Sequence, residues 1–145
     1  MFMGEYHHNI DEKGRIVLPG KFREDRTKIV VTRGLEKCLY LYTMEDWEKV
    51  VNKLNELPFT KKDARTFMRS FFAGASVCEF DKMGRINITS PLVSYTNLTK
   101  ECVVIGVNDR IEIWDKDLFE SFMDDNSSKL EEIAENLFEV SSETL

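Results

Sequence analysis

The chain has 145 residues and a formal net charge of −6, with 42% apolar and 32% charged side chains. This length fits one compact domain, and the composition excludes disordered, collagen-like and low-complexity chains. No apolar run approaches the ~20 residues of a membrane span, and the first residues lack the basic and apolar regions of a signal peptide. Three cysteines without a C-x-x-C pair argue against a disulfide framework or a zinc site, so we expect a cytoplasmic protein with reduced thiols.

The charge is unevenly distributed along the chain. Residues 1–75 carry 14 basic and 11 acidic side chains, whereas residues 76–145 carry 6 and 15. Within residues 13–37, eight basic side chains stand against three acidic ones. Because salt screens charges over a length of ~8 Å, the local field of this basic segment matters more than the net charge. The negative net charge therefore does not exclude an anionic partner such as DNA.

The first predicted elements are a turn, a strand and a hairpin. Residues 11–14 form a turn in which Gly14 can supply a positive φ. A strand follows at residues 15–18 and is stopped by Pro19. Two runs of β-branched and aromatic residues, 28–32 and 39–42, predict the two arms of a hairpin.

Amphipathic helices follow the hairpin. Thr43 with Asp46, and Thr60 with Asp63, match the capping box that begins a helix. Apolar residues recur at i, i+3, i+4 and i+7 after each box. A last helix opening at Ser128 carries the same kind of stripe. We expect these stripes to cover the core; the alternative is that one of them packs on a neighbouring subunit.

The sequence is internally duplicated. Residues 11–18 read DEKGRIVL and residues 81–88, seventy positions later, read DKMGRINI. Residues 38–47 and 110–119 also resemble each other, and there the offset between the two copies has increased from 70 to 72. The second copy therefore repeats the strands and the helix, which Asp115 would cap, with two extra residues in its middle loop. A strand-turn-strand unit this small cannot bury its own apolar face. We predict two repeats, 1–75 and 76–145, intertwined as one structural domain.

The paired D-x-x-G-R-I motifs, with Leu18-Pro19 after the first, resemble the MraZ family of bacterial transcriptional regulators, part of the wider AbrB/SpoVT group. The opening residues 2–6 and the stretch from Tyr40 to Trp47 also fit that family. The resemblance implies an α+β fold: a double-split β-barrel of two pseudo-symmetric tandem repeats with helices packed outside. It also implies binding to double-stranded DNA at promoter-proximal direct repeats upstream of the protein's own operon, ring-like homo-oligomers, a nucleoid-associated location, and control of the division and cell-wall gene cluster including its own gene.

Arg15 is the first candidate for DNA contact. A guanidinium at the start of a strand, directly after a glycine turn, can reach phosphates or a guanine edge. The alternative is an ion pair with Asp11, four residues earlier. Arg85 and Asp81 repeat this arrangement, but in the more acidic half, so we expect Arg85 to contribute less. Candidate phosphate contacts are Lys13, Lys21, Arg23, Arg26 and Lys82. The residues that would position the two turns are Asp11, Gly14, Asp81 and Gly84.

Other functions find less support in the residues. His7 and His8 are adjacent, so on a strand they point to opposite sides and cannot hold one metal together. We find no catalytic motif and expect no enzyme activity, cofactor, metal, small-molecule substrate or membrane partner. Two alternatives stay open: a ring-forming scaffold that binds protein without specific DNA binding, and an antitoxin-like dimer that uses one motif per chain.

Overall fold

The structure is a computed structural model that describes residues 1–138. The chain divides into two compact units, Met1–Asp115 and a second that begins at Lys116. Each unit is described by itself. The elements in chain order are β1 (Phe2–Asn9), β2 (Arg15–Val17), α1 (Gly20–Arg23), β3 (Lys28–Arg33), β4 (Leu39–Tyr42), α2 (Met44–Asn55), α3 (Lys62–Ala73), β5 (Ser76–Glu79), β6 (Arg85–Asn87), α4 (Ser90–Thr96), β7 (Glu101–Asn108), β8 (Arg110–Asp115), α5 (Lys116–Ser127) and α6 (Leu130–Phe138).

The strands of the first unit form two antiparallel sheets. The large sheet has the order β1-β7-β8-β4-β3-β5, and the small sheet pairs β2 with β6. The hairpin of β3 with β4 forms as predicted, and β7 with β8 repeats it. Four strand pairs, β1–β7, β4–β8, β3–β5 and β2–β6, each join a strand of one repeat to a strand of the other.

Both sheets pack on one hydrophobic core. The small sheet contributes Ile16 and Ile86, and the large sheet contributes residues such as Val31, Leu41 and Ile113, all of them at most 1% exposed. The short helices α1 and α4 add Phe22 and Leu92 to the same core. The α+β class is therefore confirmed. Within residues 1–138, however, the strand hydrogen bonds do not close the two sheets into the expected barrel.

Helices α2 and α3 pack on the face of the large sheet opposite this core. The Thr43 hydroxyl accepts a hydrogen bond of 3.0 Å from the Asp46 backbone N–H, so α2 begins where the sequence predicts. The Trp47 ring lies 5.9 Å from the ring of Tyr42 on β4 and 5.6 Å from that of Phe71 on α3. The apolar stripes of these two helices therefore cover the sheet.

The structure differs from the sequence prediction in the start of α3 and in the location of the extra residues of the second repeat. Helix α3 begins one residue later than its capping box indicates, with Lys61 at the N-cap and no side-chain cap. The Lys61 N–H instead donates to the Pro58 carbonyl at 3.0 Å, so Thr60 lies inside a turn before the helix. The extra residues of the second repeat, predicted in its middle loop, lie instead in a longer helix, because α4 has 7 residues and α1 has 4.

The second unit begins with α5 and α6. The Lys129 N–H donates to the Asn126 carbonyl at 3.0 Å in the connection between them. None of the residues of α6 is buried. Its apolar residues Leu130, Ile133 and Leu137 are 53%, 40% and 74% exposed. The apolar stripe of α6 is therefore exposed, whereas α3 buries Phe71 of its stripe to 5% exposure.

Candidate nucleic-acid interface

The Asp11 carboxylate organises the first D-x-x-G-R turn. Its Oδ1 accepts hydrogen bonds from the backbone N–H groups of Lys13 at 3.0 Å and Arg15 at 2.8 Å, and its Oδ2 accepts from Arg15 Nε at 2.7 Å. The Gly14 N–H donates to the Asp11 carbonyl at 3.0 Å, and Gly14 has a φ of +82°. The ion pair considered as an alternative role for Arg15 is therefore present.

The second turn repeats this geometry almost atom for atom. Asp81 Oδ1 accepts from the N–H groups of Met83 and Arg85, both at 2.9 Å, and Oδ2 accepts from Arg85 Nε at 2.7 Å. Gly84 has a φ of +75° and donates to the Asp81 carbonyl at 3.0 Å. The duplicated residues thus encode a duplicated turn, and Asp-Gly-Arg is the part of each motif that the turn requires.

Hydrogen bonding lowers the pKa of both turn aspartates. The backbone N–H of Arg15 is the largest cause that lowers the pKa of Asp11, and the guanidinium of the same residue lowers it further. Arg85 lowers the pKa of Asp81 in the same two ways. Each arginine therefore pairs with a carboxylate whose pKa is held below its usual value.

Pairing of β2 with β6 brings the two turns together. Arg15 lies opposite Asn87 and Arg85 opposite Val17. Because side chains alternate along a strand and the intervening isoleucines are buried, both arginines lie on the outward face of this small sheet. They are diagonal neighbours, and such positions are typically ~7–8 Å apart.

The ion pairs occupy only part of each guanidinium. They use Nε of Arg15 and of Arg85, and the remaining four N–H donors of an arginine are on its two Nη atoms. The side chains are 34% and 24% exposed. The aspartates therefore fix the direction of the arginines and leave donors for a second partner.

Backbone contacts join the two turns. The Ile88 N–H donates to the Gly14 carbonyl at 2.7 Å, and the Leu18 N–H donates to the Gly84 carbonyl at 3.2 Å. Asn87 Nδ2 adds a bond of 3.1 Å to the Lys13 carbonyl. The sequence analysis gave Asn87 no role, although its place directly after the repeated Arg-Ile pair was the available signal.

The other predicted contact residues fall into two groups. Lys13 and Lys82 are exposed in the two turns, and Lys21 is exposed on α1. Arg23 is half-buried and donates from Nη1 to the Leu18 carbonyl at 2.9 Å. Arg26 donates to the Phe22 carbonyl at 3.0 Å. The structure thus gives both of these arginines packing partners, and DNA contact by all five side chains stays a prediction.

The acidic charge lies away from the second turn in sequence. From Lys116 onward the chain carries two basic and nine acidic side chains, which is seven of the nine net negative charges of residues 76–145. Residues 1–115 have a net charge of +1. The second turn also has Lys82 and Met83 where the first has Glu12 and Lys13. Residues 76–115 still have a net charge of −2, against +3 for residues 1–75, so the smaller contribution expected of Arg85 stays a prediction.

The fold and the paired turns define an α+β protein with two intertwined copies of one strand-turn motif. A family model described as MraZ protein, putative antitoxin-like, matches residues 1–70 and again residues 71–141. The chain therefore belongs to the MraZ family, and the resemblance inferred from its motifs is confirmed. In the part of the chain that the structure describes, the helices are too short or too polar to cross a membrane.

Proposed function

We propose that this protein is a transcriptional regulator that binds double-stranded DNA through the outward face of the small β2–β6 sheet. The observation that carries the proposal is the pair of matched arginines, Arg15 and Arg85, side by side on that face and each held by an aspartate. A two-stranded antiparallel ribbon fits the major groove of B-DNA. The outward side chains of such a ribbon then meet the base edges.

Each side chain of this face has a separate role in the proposal. A guanidinium can bind the O6 and N7 atoms of guanine together, and Asp11 and Asp81 reduce the freedom that Arg15 and Arg85 would lose on binding. The exposed Lys13 and Lys82 in the turns, with Lys21, contact phosphates and fix the register without reading sequence. Arg23 supports the second turn from within.

One chain supplies both halves of the proposed interface. An antitoxin-like dimer would obtain two motifs from two chains, whereas here β2 and β6 pair within a single chain. Cross-repeat strand pairing and the common core, both within residues 1–115, support the proposal that the two repeats, 1–75 and 76–145, intertwine in a double-split arrangement of the two sheets. A single subunit therefore presents a complete pair of motifs, which argues against the use of one motif only.

We further propose that copies of the chain assemble into a ring on promoter-proximal direct repeats, at the nucleoid. The support is the apolar surface that remains exposed within the first unit and within α6, together with the opposite charge of basic residues 13–37 and the acidic sequence from Lys116. Contacts between different surfaces of successive subunits close into rings when the rotation permits. Regulation of the protein's own gene and the surrounding division and cell-wall cluster follows from the family resemblance.

The proposal is tested by the mobility of the DNA upstream of the protein's own gene in a native gel. We expect a shifted band that survives a large excess of unrelated DNA. Scrambling the repeats while keeping base composition should remove it. If both fragments bind equally, or neither does, sequence-specific regulation is contradicted and the scaffold alternative gains support.

A further inference from the structure

The surroundings of the two motif glycines differ although the turns are the same. Beside Gly84 lies the guanidinium of Arg23: a Cβ added to this glycine would be 2.7 Å from Arg23 Cζ. The same guanidinium donates from Nη1 to the Leu18 carbonyl at 2.9 Å. Repeat 1 thus places a cation in the space behind the turn of repeat 2.

The corresponding space behind the first turn is a cavity of about 300 Å³. A Cβ added to Gly14 would be 2.5 Å from the carbonyl oxygen of Ile88, which is the counterpart of Leu18 at the repeat offset of 70. The polar side chains that line the cavity are Asp11, Glu12, Lys13, Ser90, Ser94 and Thr99.

The difference has a simple origin in the sequence. Arg23 is the fourth residue of α1, and Val93 is the fourth residue of α4 and also lines the cavity. A valine side chain has neither the reach nor the charge of an arginine. Apart from the Ile88 carbonyl oxygen, which lies 2.5 Å from a Cβ added at Gly14, the space that a guanidinium fills in one half of the molecule is therefore part of a cavity in the other half.

We propose that this cavity binds the guanidinium group of a small organic cation. The bound group would lie beside the first turn at the position equivalent to that of the Arg23 guanidinium beside the second turn. The Ile88 carbonyl would accept from the ligand as the Leu18 carbonyl accepts from Arg23. Glu12 adds a carboxylate beside Lys13, the one cation among the described residues of the lining, whereas the second turn has Lys82 and Met83 at these two positions. The hydroxyls of Ser94 and Thr99 supply further acceptors. The volume is at the lower end for ligand pockets, a size suited to a molecule such as arginine. This inference goes beyond the proposed function and does not depend on DNA binding.

The test is equilibrium dialysis of the full chain against labelled L-arginine, with unlabelled L-citrulline as competitor. Citrulline has nearly the same shape, but its ureido group is neutral. We expect one saturable arginine site per chain that agmatine, a second guanidinium compound, competes for and citrulline does not. A lack of saturable binding at millimolar arginine, or equal competition by citrulline, would overturn the proposal.

Two variants locate the site. Val93→Arg supplies the missing guanidinium from within and should abolish arginine binding, whereas Val93→Ile should retain it. Glu12→Gln, an exposed change in a turn, should weaken binding at least about fivefold without altering the melting temperature, which keeps the test valid if Val93→Arg fails to fold. Unchanged arginine binding by folded Val93→Arg or by Glu12→Gln would place the ligand elsewhere and contradict the proposal.

Discussion

At the scale of single residues, the duplicated turn depends on its aspartate, glycine and arginine together. The carboxylate of Asp11 accepts three hydrogen bonds from residues two to four positions later, and Asp81 does the same. A glycine is needed because the chain has a positive φ at Gly14 and at Gly84. Other residues rarely adopt that conformation without strain.

We expect Gly14→Ala to destabilise the protein by about 1–3 kcal/mol. Alanine would be strained at the φ of +82° that Gly14 adopts. Its methyl group would also lie 2.5 Å from the Ile88 carbonyl oxygen. Gly20→Ala is the matched control, because the nearest atom to its Cβ is at 4.0 Å and its φ is outside the positive region. Chemical denaturation of both variants measures the difference. Equal stability of the two would show that the turn accommodates a side chain.

At the scale of elements, the first repeat could be predicted well from its local signals. The strand after the first turn, the hairpin and α2 follow from the turn residues, the β-branched and aromatic runs, and the Thr43 cap. Because the sequence is duplicated, the same elements could be predicted for the second repeat. The long stripe of α3 also indicated its buried face correctly.

The elements that were missed gain their stability from distant partners. Strand β1 contains two histidines and a glycine and has only Phe2 fully buried, so it lacks the apolar alternation of a strand. Eight consecutive residues of β7 pair with it and hold it in the sheet. Strand β5 is likewise held by β3. The pairing of β2 with β6, which creates the candidate site, joins residues seventy positions apart, and no local signal gives its register.

The two possible helix caps make a paired prediction at this scale. Thr43→Ala should lower the free energy of unfolding by about 1 kcal/mol, because it removes the hydroxyl that accepts from the Asp46 N–H. Thr60→Ala should change it by less than about 0.5 kcal/mol, as expected for a surface residue outside the cap. Thermal melts of both variants decide the matter. A larger loss for Thr60→Ala would mean that the capping box forms after all.

At the scale of the whole molecule, the proposed ring makes binding depend on several repeats at once. Linked sites raise the effective affinity by ~10²–10⁴ without a new contact. We therefore expect a fragment with three direct repeats to bind far more tightly than a fragment with one. Inserting about half a helical turn between repeats should lower the affinity again, because neighbouring sites would face different sides of the duplex. Equal affinity for one and three repeats, or a stable monomer in light scattering, would contradict the ring.

The two turn arginines provide the most direct test of the central claim. The sequence charge predicts a smaller role for Arg85 than for Arg15, and this stays a prediction beside the matched geometry of the two turns. A bidentate arginine contact contributes ~1–3 kcal/mol of discrimination, and 1.4 kcal/mol is about tenfold in affinity.

The decisive measurement is fluorescence anisotropy of a labelled repeat array with Arg15→Ala, Arg85→Ala and the double variant. Lys49→Ala with Lys53→Ala, on α2, is the control that removes the same charge from another surface. We predict losses of about tenfold or more for each single arginine variant, a greater loss for the double variant, and little change for the control, with oligomer size and melting temperature checked for each. Wild-type affinity in the double arginine variant, accompanied by a lower melting temperature, would contradict the account and leave the turns with a structural role alone.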